Sequence, residues 1–250
     1  MPSEMTAKER SSFLESLQLA EPSSPYMLKM LSIQDSPRTA YIVGGSAISF
    51  VAGVSPISQR DALNSTLLAQ LAANKQFDRE NDTVKWYGFY KYVLENVGWV
   101  LQDFAFNKFN ASGSSFTMDK VVLDLIAAIA SGDEIAAVQA TLDAMRSLAG
   151  NDGRIVLFET SSHSASKGNF QISVANEVGG VMSMGMAASY FSTQQNVTHV
   201  LWFSYSSSQT DYYDGSQTMT LNKQIYQQVR QQVVDKLGDK ARTFVQNLPI

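Results

Sequence analysis

Gly44-Gly45-Ser46-Ala47-Ile48 is the stretch of this sequence nearest to a nucleophile elbow. In that motif a serine sits on a strained strand-to-helix turn, with glycines two residues to either side so that neighbouring backbone can approach. Here Ile48 stands where the second glycine belongs, and the alternating strands and helices of an α/β-hydrolase are missing. The sequence has two histidines, so His163 and His199 are the candidate bases, with Asp152, Asp211 or Asp214 to orient the imidazole. His163 lies in Ser161–Ser166, which reads as a solvated polar turn, and His199 opens a candidate strand. The plainer reading is a tight glycine turn and two surface histidines. A serine hydrolase using Ser46 with His163 or His199 is kept as the alternative.

Other chemistry finds less footing. Gly44-Gly45, Gly179-Gly180 and Gly185 make neither a dinucleotide fingerprint nor a Walker pattern, which need further glycines or a lysine at fixed spacing. Gly179-Gly180 reads as a bulge or strand break. Asp211 and Asp214 flank Tyr212-Tyr213 and suit a hard cation or acid–base work, but Asp214-Gly215 is also an ordinary turn signal. With no cysteine there is no disulfide, thiolate zinc site or cysteine nucleophile. No cofactor and no metal are expected.

The elements that would position these residues follow from periodicity. The chain has 250 residues and 44% hydrophobic content, enough for a real core. Thr6-Ala7-Lys8-Glu9 is a capping box ahead of Phe13, Leu14 and Leu17. Tyr26–Ile33 reads as a short helix between prolines, and Ala40–Val43 as a strand. Ala47–Val54 fits helix or strand equally. Leu63, Leu67, Leu68 and Leu71 mark an amphipathic helix over Asp61–Ala73. A long helix from Thr83 to Leu101 carries Trp86, Tyr87, Tyr90 and further apolar residues, with Gly88 and Gly98 hinting at close packing. Phe104, Phe106 and Phe116 suggest strand around the turn Asn110–Ser115. Lys120–Ala130, capped by Asp119, and the helix after the capping box Ser131–Glu134 form an αα-hairpin.

From Arg154 the period shifts to two. Ile155–Glu159 reads as a short strand. Phe170, Ile172 and Val174 alternate with polar neighbours, as do Met182, Met184, Met186 and Ala188, then Leu201, Phe203 and Tyr205. Gln217–Thr220 adds a further strand. Asn222 opens a last helix, Gly238 breaks it, and Ala241–Leu248 continues for a turn or two. The expectation is a single α+β domain over residues 1–250. An antiparallel β-meander at about 155–220 packs with N-terminal helices, a central αα-hairpin and a C-terminal helix.

Two features point to surfaces. Trp86, Tyr87, Tyr90 and Trp99 suit either a core or a ligand- or membrane-facing stripe, because Trp and Tyr favour places half apolar and half wet. The weakly charged segments Thr160–Tyr190 and Ser192–Thr218 alternate small polar and apolar residues. Met182, Met184 and Met186 lie among them. An ordinary half-exposed sheet has that pattern, and so do membrane-inserting hairpins, which need one face for lipid and little charge.

Net charge is −4, which disfavours nucleic acid, while charged residues are 17% of the total and leave room for self-association. The N-terminus carries Glu4, Lys8, Glu9 and Arg10, with no apolar stretch of a secretory signal, and no segment reaches transmembrane length. Synthesis in the cytoplasm is expected, with non-classical export without a cleaved signal, or release by lysis, left open.

Ser24–Ser46 (SPYMLKMLSIQDSPRTAYIVGGS), Lys85–Phe106 (KWYGFYKYVLENVGWVLQDFAF) and Leu221–Leu237 (LNKQIYQQVRQQVVDKL) resemble the Evf-like bacterial virulence factors. The resemblance implies a small α/β protein without a signal peptide, linked to colonisation of insect hosts and to membrane association. It implies a non-enzymatic, host-directed, toxin-like role with a host membrane or lipid as partner. Where acylation of a cysteine belongs to the family's working, this chain departs from it, and membrane contact would need an exposed apolar surface instead.

Overall fold

Helices pack on both faces of one sheet, so apolar side chains leave it on both sides. A computed structural model describes residues 5–21, 38–102, 105–241 and 245–250. The expected helix Tyr26–Ile33, Phe104 and Phe244 lie outside them. In order, the elements are α1 (Ala7–Ser16), β1 (Thr39–Val43), β2 (Ser46–Phe50), α2 (Pro56–Gln76), α3 (Thr83–Asn96), β3 (Trp99–Leu101), β4 (Asn107–Lys108) and β5 (Ser115–Phe116). They continue with α4 (Met118–Ala127), α5 (Gly132–Ser147), α6 (Gly153–Ser162), β6 (Lys167–Val178), β7 (Val181–Thr193), β8 (Tyr205–Ser206), β9 (Thr210–Leu221), α7 (Lys223–Leu237) and β10 (Val245–Pro249).

The sheet runs β10-β1-β2-β6-β7-β9-β3, with β4 also on β9. The α+β class and the antiparallel β6–β7–β9 meander match the expectation. The sheet extends beyond that meander, because β2 joins β6 in parallel and carries β1 and β10 with it. Alternation then sorts the core. Tyr41, Val43, Ile48, Phe50, Met182, Met184 and Met186 pack with α1, α2, α3 and α7 on one face. Ala40, Ile42, Ala47, Phe170, Ile172 and Val174 pack with α4, α5 and α6 on the other. β1 and β2 are buried at every position, so they show no in–out alternation; this is why Ala47–Val54 had no readable period.

Several sequence expectations are corrected. Ile155–Glu159 is part of α6, whose Asp152 N-cap accepts from Arg154 N at 2.9 Å; a short continuous apolar run does not distinguish helix from strand. The Thr83 helix stops at Asn96, because Gly98 adopts φ +107° and the chain turns into β3 at Trp99. A Cβ on Gly98 would stand 3.0 Å from Ile225 Cγ2. α4 begins at Met118, so Asp119 lies inside it and pairs with Arg146 at 2.7 Å. Residues 199–203 form turns, and strand returns only at Tyr205–Ser206. Val245–Leu248 forms the edge strand β10 in place of a final helical turn. Asp211 and Asp214 lie within β9, not in a loop, and Asp214-Gly215 is no turn.

Candidate functional site

Gly44 and Gly45 form the two-residue turn between β1 and β2, with Gly44 at φ +54°, so Ser46 opens a strand and occupies no strand-to-helix elbow. Its side chain is 1% exposed. The Ser46 hydroxyl donates to Gln171 Oε1 on β6 and accepts from Gln70 Nε2 on α2 at 2.8 Å. Gln70 also donates to Val43 O at 3.0 Å and accepts from Gly45 N at 3.3 Å. The serine proton is therefore directed into the core, toward an amide oxygen. A Cβ on Gly44 would sit 2.6 Å from Gln70 Oε1, and one on Gly45 2.6 Å from Ser161 O, so close approach accounts for both glycines.

Beside this turn lies a cleft of about 410 Å³ lined by Gly44, Gln70, Arg79, Ser161 and His163 among others, without Ser46. Arg79 fastens its wall: the guanidinium donates to Ser161 O and to the side chain and carbonyl of Asn169. Burial pulls the Arg79 pKa down to about 10, against the opposing influence of Tyr87 and Glu80.

The two histidines, 36 positions apart in sequence, meet at one carboxylate. Glu159 Oε2 lies 2.6 Å from His163 Nε2 and accepts from Val200 N at 3.0 Å, and Glu159 Oε1 is 3.7 Å from His199 Nδ1. His163 Nδ1 is 2.6 Å from Ser164 O, so both its ring nitrogens are engaged. Burial opposes charge on His163, but the hydrogen bonds to Glu159 and Ser164 O, with the carboxylates of Glu159 and Glu80, outweigh it and raise its pKa. No hydrogen bond joins Ser46 to either histidine among the described residues, and the expectation that both histidines are plain surface residues fails for His163, whose side chain is 10% exposed. The i, i+4 spacing of Glu159 and His163 was readable; the arrival of His199 depends on the chain path after β7. Among the described residues no group of three acidic, histidine or cysteine side chains is placed to hold a metal ion.

The proposed surface stripe is core. Trp86, Tyr87, Tyr90, Trp99, Met182, Met184 and Met186 are all buried between the sheet and the α1–α3–α7 layer. Trp86 stacks on Tyr90 at 5.4 Å and 10°, and its Nε1 donates to Asn74 at 2.7 Å. Trp99 Nε1 donates to Ser65 Oγ at 2.9 Å. A packed layer of helices covers this side, so alternation on β7 reports two buried faces.

Among the described residues, four of the seven large exposed apolar side chains lie toward the β6–β7 hairpin end of the sheet. The β6–β7 hairpin ends in Val178-Gly179-Gly180-Val181, with both glycines at positive φ, as a two-residue turn requires. Val178 is 70% exposed and Val181 55%. Val100 on β3, opposite Thr220 of β9, is 62% exposed on the same sheet face. The α4–α6 layer stops short of it: Ile129 meets Gly185, and the rows beyond are open. Ile57, 53% exposed, opens α2 beside the hairpin root. That root is fixed, because Glu177 accepts from Ser55 N at 2.9 Å and pairs with Lys223 of α7.

No family model matches the chain, and no curated protein matches it. Among solved structures, one described as the Evf virulence factor is similar with a TM-score of 0.36 and 10% identity, covering 78% of this chain and 82% of that one. A delta-endotoxin is similar with a TM-score of 0.35 and 11% identity, over 82% of this chain and 90% of that one. Neither likeness carries a residue's role across to this chain.

Proposed function

We propose that this chain is a non-enzymatic, host-directed, toxin-like factor that contacts lipid membranes through the Val178–Val181 end of its sheet. The observation that carries the reading is the exposed pair Val178 and Val181 at the hairpin tip, with Val100 on the same sheet face two strands from β7, beyond Ser183 and Thr220, and Ile57 at the same end. Single exposed apolar residues are ordinary, but several gathered at one end of a sheet suit an interaction surface. The host-directed part rests on the sequence resemblance to the Evf-like factors.

The chemistry sets the strength. Full burial of a valine-sized side chain contributes about 1.5–3 kcal/mol, so four partly exposed ones support weak, reversible attachment and not insertion. Among the described residues no helix is long and apolar enough to cross a membrane. Glu177 and Lys223 neutralise one another at the hairpin root, so little isolated charge has to leave water. With a net charge of −4, attraction to anionic lipid is not part of the mechanism.

Flotation with neutral phosphatidylcholine vesicles tests this. The chain floats with the vesicles, equally at low and high salt, and Val178→Asp/Val181→Asp stays at the bottom while keeping its melting temperature. No flotation of the wild type, or equal flotation of the double variant, overturns the reading. So does a dimer in light scattering that the double variant dissolves, since a second copy would then cover this end.

A further inference from the structure

A second cleft, of about 380 Å³, opens at the far end of the same strands, between Glu80–Lys85 and the ends of β6, β7 and β9. Its size lies in the range of about 300–1,000 Å³ usual for small-molecule sites. Tyr190 of β7 and Tyr213 of β9 line it as cross-strand partners, their rings parallel within 4° and 4.7 Å apart. Phe106 braces Tyr190 at 84° and 4.8 Å. Both tyrosines are half-buried, and neither hydroxyl has a hydrogen-bond partner among the described residues. Here, unlike at Trp86 and Tyr90, a rigid aromatic pair borders an open cleft.

Val84 and Phe191 add apolar lining, and the remaining residues are polar and nearly charge-balanced. Lys85 pairs with Asp82 at 2.8 Å, Asp211 pairs with Lys108 at 2.6 Å, and Lys167 donates to Asn81 at 2.8 Å. Ser192 completes the rim. Such a cleft has no excess positive field to collect phosphate. It offers flat apolar surface, free phenol hydroxyls, and amide, ammonium and carboxylate groups close by. A pyranose is the complement, because its ring C–H groups make an apolar face and its hydroxyls point outward to a mixed donor and acceptor rim. Tyrosine suits such contact, being large and amphipathic with few rotatable bonds to immobilise.

We propose that the Tyr190–Tyr213 cleft binds a saccharide. Nine residues along β7, at about 3.3 Å each, separate Tyr190 from Val181, so the site lies about 30 Å from the apolar end and the two are tested independently.

The test is the full-length chain on an array of immobilised mono- to tetrasaccharides, followed by calorimetric titration with the soluble form of a sugar that the array retains. The wild type retains a defined set of sugars. Tyr213→Ala weakens binding at least about tenfold, as expected for loss of a stacking face, while Tyr213→Phe stays within a few-fold. Ser192→Trp, at an exposed strand position, blocks the cleft and keeps the melting temperature, which preserves the test if Tyr213→Ala does not fold. Retention of no sugar by the wild type overturns the proposal, as does undiminished binding by folded Tyr213→Ala or Ser192→Trp. Vesicle flotation of these variants stays at the wild-type level whichever way the sugar result falls.

Discussion

Val178 and Val181 are cross-strand partners over the Gly179-Gly180 turn, and both are exposed, beyond the stretch of β6 and β7 that helices cover on both faces. Next to Val178, Glu177 ties the hairpin root to the start of α2 and the start of α7. The apolar tip is thus presented by a fixed support, and its contact area does not depend on rearranging the core. The same geometry separates the tip from Met182, Met184 and Met186, whose side chains begin the buried layer.

Ser46 bonds inward, to Gln171 and Gln70. Ser46→Ala removes the donor to Gln171 Oε1 and an acceptor of Gln70 Nε2 inside the core, and is expected to cost about 1–3 kcal/mol in chemical denaturation. A fluorophosphonate probe leaves the wild type unlabelled. Labelling at Ser46 would restore the hydrolase alternative.

His163 sets a pH dependence. Its pKa is raised in the folded chain above the usual 6.5, so the stabilisation is fully present below about pH 6.5 and is lost as pH rises through the folded value. Thermal melts should fall on the alkaline side, and His163→Gln should flatten that slope. The variant should also lose on the order of 1 kcal/mol near neutrality, because Glu159 gives up a part-buried hydrogen-bond partner. An alkaline slope unchanged in His163→Gln would assign the effect elsewhere.

Glu177 acts with the opposite sign. Burial alone would raise its pKa, but Lys223 and the hydrogen bonds from Ser55 and Ser58 outweigh it and bring it down to about 2. Its contribution is present above its usual 4.5 and is lost as pH falls toward 2. Glu177→Gln should reduce stability at pH 7 by on the order of 1–3 kcal/mol and shrink the acid-side loss. It should also weaken vesicle flotation, since the hairpin root is released.

Much of the fold was readable where local rules operate. The capping boxes at Thr6–Glu9 and Ser131–Glu134, the Asn222 cap and the stop at Gly238 all stand in the structure. The readings failed where local pattern was mute. Ile155–Phe158 is a continuous apolar run, which fits strand or helix until Asp152 caps it. Gly98 lies in an apolar stripe that continues the helical period, but it adopts φ +107° and turns the chain into β3, and the space a side chain would need there is taken by Ile225. β2 pairs in parallel with β6 across more than a hundred residues, which no local signal announces. The candidate sites divide in the same way. Glu159 and His163 share a helix face, while Gln70, Ser46 and Gln171 meet through pairings of high sequence separation. Tyr190 and Tyr213 become neighbours only through the β7–β9 register.

The cysteine-free sequence permits the most direct test of membrane contact. A polarity-sensitive fluorophore is attached at Val181→Cys and, as the distant control, at Ser208→Cys, and emission is followed as neutral vesicles are added. A blue shift is expected at position 181 and none at position 208. Unchanged emission at 181, or equal shifts at both positions, would contradict it.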